Sequence, residues 1–285
     1  MFCVRLAGIT VEIDNRHDFV YRLCADYLCT DCSPAFRVSV STAEAEAYQA
    51  ACGRPLTLPE AESYLLYRRI CERMPAYGVF LLHAAVVEME GRGYAFSARR
   101  GTGKSTHTAL WQTHFSGRAT VINGDKPLVR KAPDGRFWAY GTPWCGKEGK
   151  QVNRKCPLTA VCFLEQGTTN TVTVSSTADT AARLMEATIL PPDPIDRDRL
   201  AALIGAAVRD VPAFTLTCRP DVEAAEVARR LGLVTIALTG ASGGKLADIC
   251  HVTIRVPENE TYLVQELHLP VYHAICAEVE ERLFG

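Results

Sequence analysis

The chain has 285 residues, 48% of them hydrophobic and 22% charged, with 31 basic against 32 acidic side chains. That length suffices for one large domain or two small ones with a substantial core. The charge balance argues against a nucleic-acid partner held mainly by electrostatics, and the lack of an 18-residue apolar run argues against a membrane span.

Met1-Phe2-Cys3-Val4-Arg5 reads as the start of a strand, and Val4 to Ile13 alternates as one strand. Asp14 and Arg16 follow too soon for a secretory apolar core, so a cytoplasmic globular protein is expected. His17 to Leu28 reads as an amphipathic helix and Phe36 to Val40 as a strand. Twelve cysteines are scattered through apolar stretches, which favours buried reduced thiols over a disulfide framework. Cys24, Cys29 and Cys32, with Cys52 further on, have the spacing of plant-type iron–sulfur ligands. Cys24 lies within the helical stretch rather than in a glycine-bearing loop, so structural thiols are the preferred reading.

A helix opens at Leu58-Pro59-Glu60 and runs to about Met74, and Tyr77-Gly78 ends it. Val79 to Glu90 is apolar and strand-like, with His83 inside it, and Glu90 to Gly93 turns the chain into Tyr94 to Ser97. A glycine-bearing loop leads to a helix over Lys104 to Thr113 and a strand over Ala119 to Ile122. Asp134-Gly135 predicts a hairpin between Leu128–Arg130 and Phe137–Tyr140. Strands follow at Leu158–Leu164, Asn170–Val174 and Ala213–Thr217, with helices at Thr180–Ile189 and Arg197–Arg209 broken by Pro191 to Pro194. The end changes rhythm: helix Asp221–Leu231, strand Val234–Leu238, turn Thr239–Gly244, strand Val252–Val256 and helix Thr261–Leu283, as in part of a parallel-sheet unit.

The strongest chemical signal is Ala98-Arg99-Arg100-Gly101-Thr102-Gly103-Lys104-Ser105, a phosphate-loop pattern with Ala in place of the first Gly, between a strand and a helix. Residues Arg100 to Thr106 are the candidate nucleotide cradle: Gly101 and Gly103 turn backbone N–H groups inward, with Thr102 between them. Lys104 neutralises phosphate oxygens, and the Ser105 hydroxyl suits Mg2+ on ATP. Asp125, closing Asn123-Gly124-Asp125, reads as the second Mg2+ ligand, with a solvated turn aspartate as the alternative. His83 reads either as a core histidine or as a site residue. Gly141 to Lys150 reads either as an exposed loop or as a lid carrying Lys147 as a mobile cation.

His83-Ala84-Ala85, the strand-turn-strand, the phosphate loop and Asn123-Gly124-Asp125 together resemble HPr kinase/phosphorylase and its serine-kinase-like relatives, and the nucleotide core of phosphoenolpyruvate carboxykinase, over about residues 1–215. The resemblance implies phosphoryl transfer from ATP to a hydroxyl of a small molecule or a protein serine, with His83 and Asp125 near the transferred group; the loop reading adds Lys147 as a further candidate there. The resemblance also implies possible self-association. Where that family has an acidic pair, this chain has Gly124 before Asp125, and Thr106-His107 replaces the acid that follows the serine in the bifunctional enzymes.

Ala224 to Gly240, Gly243-Gly244-Lys245-Leu246-Ala247, Arg255-Val256-Pro257, Gln265-Glu266-Leu267-His268 and His273 resemble the C-terminal end of sedoheptulose-7-phosphate isomerase, a sugar-isomerase (SIS) domain. That resemblance implies that Gln265 and His273 match metal-binding or catalytic positions, suited to Zn2+, and that His268 belongs to the same signature. No second serine-rich phosphate loop is present, so a complete isomerase site is not expected. The sequence therefore reads as an α/β lead-in over 1–60, a kinase-like P-loop domain of α/β class over 61–218 and a β-α fragment of SIS type over 219–285.

Overall fold

A computed structural model describes residues 1–30, 33–53, 55–99, 101–115, 117–219, 227, 236–243, 252–260, 263–268, 270–271, 274 and 278. The chain divides into two compact units, Met1–Arg230 and Leu231–Gly285. Both are of mixed α/β construction.

The first unit opens with a small sheet in the order β1 (Phe2–Leu6), β2 (Ile9–Asp14), β3 (Phe36–Ser39). One continuous strand over 4–13 was the expectation, but the chain folds back as an antiparallel hairpin. Ala7 and Gly8 both take positive φ, at 49° and 78°, which is the twist a two-residue hairpin needs. Alanine rarely accepts that conformation, so the turn carries no strong sequence signal. The helix expected over 17–28 is cut to α1 (Asp18–Leu23) and a 3-10 turn at Ala25–Tyr27, because Leu28 bridges back to Val4. Two helices follow, α2 (Thr42–Ala51) and α3 (Leu58–Arg73). Each starts on a capping box, Ser41 with Glu44 and Thr57 with Glu60, which satisfies otherwise unpartnered N–H groups at both ends of the exchange.

The main sheet has nine strands among the described residues, with the path β4 (Val79–Leu81), β8 (Leu128–Lys131), β9 (Phe137–Tyr140), β10 (Lys155–Gln166), β6 (Arg92–Ser97), β5 (Ala84–Met89), β7 (Ala119–Asn123). Off that path, β12 (Ala213–Cys218) pairs β10 in parallel and β11 (Thr171–Val174) in antiparallel. Strand β10 is long enough to use its two halves differently. Its start runs antiparallel to β9 and its remainder parallel to β6. The Asp134-Gly135 hairpin forms as expected between β8 and β9.

Two apolar clusters fill this unit. One gathers Val4, Leu6, Ile13, Leu66, Ile70 and Trp144 with neighbours from α1 to α3. The other gathers Phe80, Val86, Ile122, Phe163, Leu200 and Ile204, covered by α5 (Thr177–Glu186) and α6 (Pro194–Asp210). Strand β4 is the party wall: Val79 and Leu81 face the first cluster while Phe80 faces the second, the two-residue alternation of a strand buried on both sides. Helix α4 (Lys104–His114) lays Trp111, fully buried, against Phe96 and Tyr94.

Of the cysteines in the iron–sulfur-like spacing, Cys32 lies outside the described residues. Cys24 is buried, and that burial pushes its thiol up to about 12. It therefore stays protonated at neutral pH, which is not the form that binds metal. No described helix is long and apolar enough to cross a membrane.

The second unit pairs β13 (Ile236–Thr239) with β14 (Val252–Arg255) in parallel. Residues 263–268 are helical, and of the helix expected over 221–231 only Val227 lies among the described residues, in helical conformation.

Gly93 sets the closeness of β6 to β10. A Cβ there would stand 2.4 Å from the Pro157 carbonyl oxygen and 2.5 Å from the Cys156 Sγ. Gly93→Ala is expected to lower unfolding free energy by about 1–3 kcal/mol, read as a lower midpoint in urea with an unchanged slope.

Candidate functional site

Strand register builds the site. β5 lies between β6 and β7 and runs antiparallel to both, with Ala84 opposite Ser97 and Val86 opposite Asn123. The start of β5 therefore stands beside the ends of its two neighbours. The residue before it, His83, falls between the loop leaving β6 and the turn leaving β7. The sequence places His83 inside one long strand, and this is corrected by the structure. Leu82 and His83 form the break where the chain leaves β4 and enters β5. Backbone bonds pin the break: His83 N donates to the Ala187 carbonyl at 2.6 Å, and the Ser97 hydroxyl donates to the His83 carbonyl at 3.0 Å.

The loop leaving β6 has the conformation that its glycines permit. Gly101 and Gly103 hold φ of 86° and 119°, and a Cβ on either would meet nothing within 4 Å, so the loop opens onto free space. Gly103 is the N-cap of α4, with the His107 N–H bonded to its carbonyl at 2.9 Å. The exposed amides of this first turn and the helix dipole together favour an anion. Lys104 is buried, and its Nζ donates to the Ala98 carbonyl at 2.8 Å. Burial pulls its pKa below the ordinary lysine value, while the charge of Asp125 works the other way.

The turn leaving β7 is fixed by one side chain. Asn123, fully buried, accepts from the Asp125 and Lys126 N–H groups at 2.9 and 2.7 Å through Oδ1. Its Nδ2 donates to the Thr142 carbonyl and hydroxyl at 3.0 and 3.1 Å. Asp125 thereby meets the His83 Nε2 at 3.1 Å through Oδ1 and Lys126 Nζ through Oδ2. Burial alone would raise the Asp125 carboxyl, but the His83 hydrogen bond and the Lys126 charge outweigh it and hold the group well below the usual carboxylate range. Segment Lys150–Val152 lies along β7: the Gly124 N–H donates to the Lys150 carbonyl at 3.0 Å, and the Val152 N–H to the Ile122 carbonyl at 3.1 Å.

One open cavity of about 880 Å³ gathers the predicted residues His83, Gly101, Gly103, Lys104, Ser105, Thr106, Asp125 and Lys147. Thr102 instead lines a second cavity of about 610 Å³ with Arg99, Glu165 and Arg183, and His83 borders both. Arg100 lies outside the described residues. Lys147 sits in a tight turn between Gly146 and Gly149, both at positive φ. In the second unit, Gln265 and Glu266 are exposed. His268 is buried with its Nε2 at 3.0 Å from the Thr239 carbonyl, and His273 lies outside the described residues.

Sequence reasoning missed Lys126 and the role of Asn123. The only sequence signal for either was their adjacency to Asp125. It also gave no sign that α2 and α3 wall the cavity with Tyr48, Tyr64 and Arg68.

Known proteins resemble parts of this chain. The family model described as "SynChlorMet cassette protein ScmC" matches residues 63–190. The phosphoheptose isomerase of Aneurinibacillus thermoaerophilus is 44% identical over 63 residues, 22% of this chain and 32% of that protein. That of Rhodospirillum rubrum is 45% identical over 62 residues, 22% of this chain and 33% of that one. The chain thus spans about a third of the length of these curated relatives. The isomerase resemblance read from the sequence recurs among known proteins. A solved Hpr(Ser) kinase/phosphatase from Coxiella burnetii is similar at a TM-score of 0.31 and 9% identity, covering 53% of this chain and 88% of that one. A likeness of that degree carries no argument about activity.

His107 ties the site helix to pH. It is buried, its Nε2 accepts from the Trp111 Nε1–H at 3.1 Å, and burial lowers its pKa to about 4. The unfolded chain binds the proton near the ordinary value of 6.5, so between those values the unfolded state holds more protons. Stability is therefore expected to fall by at most about 3 kcal/mol as pH drops through that window. In His107→Gln, which keeps an acceptor for Trp111, chemical melts at stepped pH should show a flatter fall over the same range.

Proposed function

We propose that this chain is an ATP-dependent phosphotransferase acting on a hydroxyl acceptor in the cytoplasm. The observation that carries the reading is the convergence, in one cavity, of an open glycine loop at a helix N-terminus with Lys104, Ser105, His83 and an ionised Asp125. The loop amides and Lys104 bind the phosphate tail, and the α4 dipole adds to the pull on its charge.

The residues suit a Mg2+ ion. Ser105 offers a hydroxyl and Asp125 a carboxylate that stays charged, and both line the same space. Bound there, Mg2+ would neutralise charge on the phosphate oxygens. Lys126 already engages one Asp125 oxygen, so a cation competes with that pair.

In the transfer, the acceptor oxygen forms a bond to the γ-phosphorus as the bond to the β-phosphate oxygen breaks, and ADP departs. The acceptor proton passes to the Asp125 carboxylate, whose two oxygens His83 and Lys126 orient. A carboxylate held so far below neutral pH is a weak base. Phosphoryl transfer through a loose transition state depends more on position than on proton removal, so the reading implies slow but real turnover.

Gly124 stands where related kinases are expected to carry a further acid. A Cβ there would lie 3.0 Å from the Cys145 carbonyl oxygen and 3.4 Å from that of Lys150. An added carboxylate would be pressed toward those oxygens. Gly124→Asp is therefore expected to lower stability by about 1–3 kcal/mol without raising turnover.

The identity to phosphoheptose isomerases favours a second reading, in which a sugar-isomerase segment of this chain binds a sugar phosphate. With a third of those proteins' length matched, binding without isomerisation is the form proposed. Sedoheptulose 7-phosphate incubated with the chain and Zn2+ should yield no product.

The test of the main reading is nucleotide titration by calorimetry with Mg2+, followed by transfer from labelled ATP to a panel of hydroxyl compounds. Lys104→Ala is expected to lose nucleotide binding by about a hundredfold or more, and Asp125→Asn to weaken the Mg2+-dependent part of binding and lose transfer. Unchanged affinity in Lys104→Ala would reject the proposal. Binding without transfer to any acceptor would reduce the protein to a nucleotide-binding module.

A further inference from the structure

The 880 Å³ cavity extends well beyond the phosphate loop, and its far wall comes from α2 and α3. Tyr64 and Arg68 are four residues apart on α3 and so stand one above the other on one helix face. Tyr48 of α2 borders the same space. The Lys126 ammonium lies 5.8 Å from the centre of the Tyr64 ring and pairs with Asp125, so the aromatic wall connects directly to the carboxylate beside His83.

Five lysines and arginines line the cavity against Asp125, Glu148 and Glu186, so its charge favours an anion. Arg68, Lys126 and Lys147 all line the cavity. Asp125 already engages Lys126 and His83. Lys147 makes no ion pair among the described residues. Arg68 pairs with Glu72 at 2.9 Å on the exposed helix surface, the kind of pair that a ligand carboxylate displaces at small cost. A guanidinium binds a carboxylate through two parallel N–H bonds, and tyrosine faces pack against a flat or apolar body.

Resting on the phosphotransferase reading, we infer that the α2–α3 wall is the acceptor subsite. It takes a small hydroxylated carboxylic acid with a planar body, its carboxylate on Arg68, its body against Tyr64 and its hydroxyl toward Asp125. The segment preceding the phosphate-loop fold thereby selects what is phosphorylated.

The probe is 4-hydroxyphenylacetate against its uncharged counterpart 4-hydroxyphenylacetamide, each titrated calorimetrically into the full chain saturated with Mg-ADP. The acid is expected to bind at least about tenfold more tightly than the amide. Arg68→Ala should erase that preference, and Arg68→Lys should restore part of it, while Mg-ADP affinity stays as in the unaltered chain in both. Equal affinity for acid and amide, no binding of the acid at millimolar concentration, or a preference that survives in Arg68→Ala overturns the subsite. The Mg-ADP titration alone, compared with Lys104→Ala, reports on the kinase reading separately. A chain that binds Mg-ADP through Lys104 yet ignores the acid keeps its nucleotide site and loses this acceptor assignment.

Discussion

The direction of β5 organises the site. A strand laid antiparallel between two others brings its own beginning next to both of their ends, and here those ends are the exit to the glycine loop and the exit to Asp125. The paired backbone fixes this meeting of three chain segments, so His83 needs no special packing to stand between them. Asn123 completes the arrangement from below the surface. Its amide is satisfied on both sides, and it sets the direction in which the chain leaves β7.

The electrostatic consequence is a carboxylate held by two donors. Asp125 stays charged because His83 and Lys126 together overcome the burial that would neutralise it. This favours fixed geometry over a high proton affinity. Gly124 belongs to the same economy of space. The carbonyls of Cys145 and Lys150 crowd the position where a side chain would otherwise enter. The bare glycine is thus part of how the loop over 141–152 packs on β7.

Much of this was legible in the sequence. The glycines between a strand and a helix announce an open loop, and the structure has one there, with Gly101 and Gly103 at positive φ between β6 and α4. The Asp134-Gly135 hairpin and the proline break before α6 were equally plain. The Ala7-Gly8 turn was not, since alanine hides a left-handed conformation. Helix α2 was overlooked although Ser41 and Glu44 carry a capping signal, because the alanine-rich stretch behind them has only a weak apolar stripe. The break at His83 was invisible because Leu82 and its neighbours are apolar on both sides of it, and only the pairing of β4 and β5 with different partners divides the run. The wall of Tyr64 and Arg68 depends on tertiary folding alone, which no local pattern encodes.

β7 ends the path of the main sheet, and the stretch Lys150–Val152 bonds along it. The same loop that brings Lys147 to the cavity therefore caps a rim of backbone that would otherwise be open to a foreign strand. Loosening the loop to reshape the cavity would also uncover a template for intermolecular pairing, so the cavity wall and the protection of the sheet edge are bound to one segment.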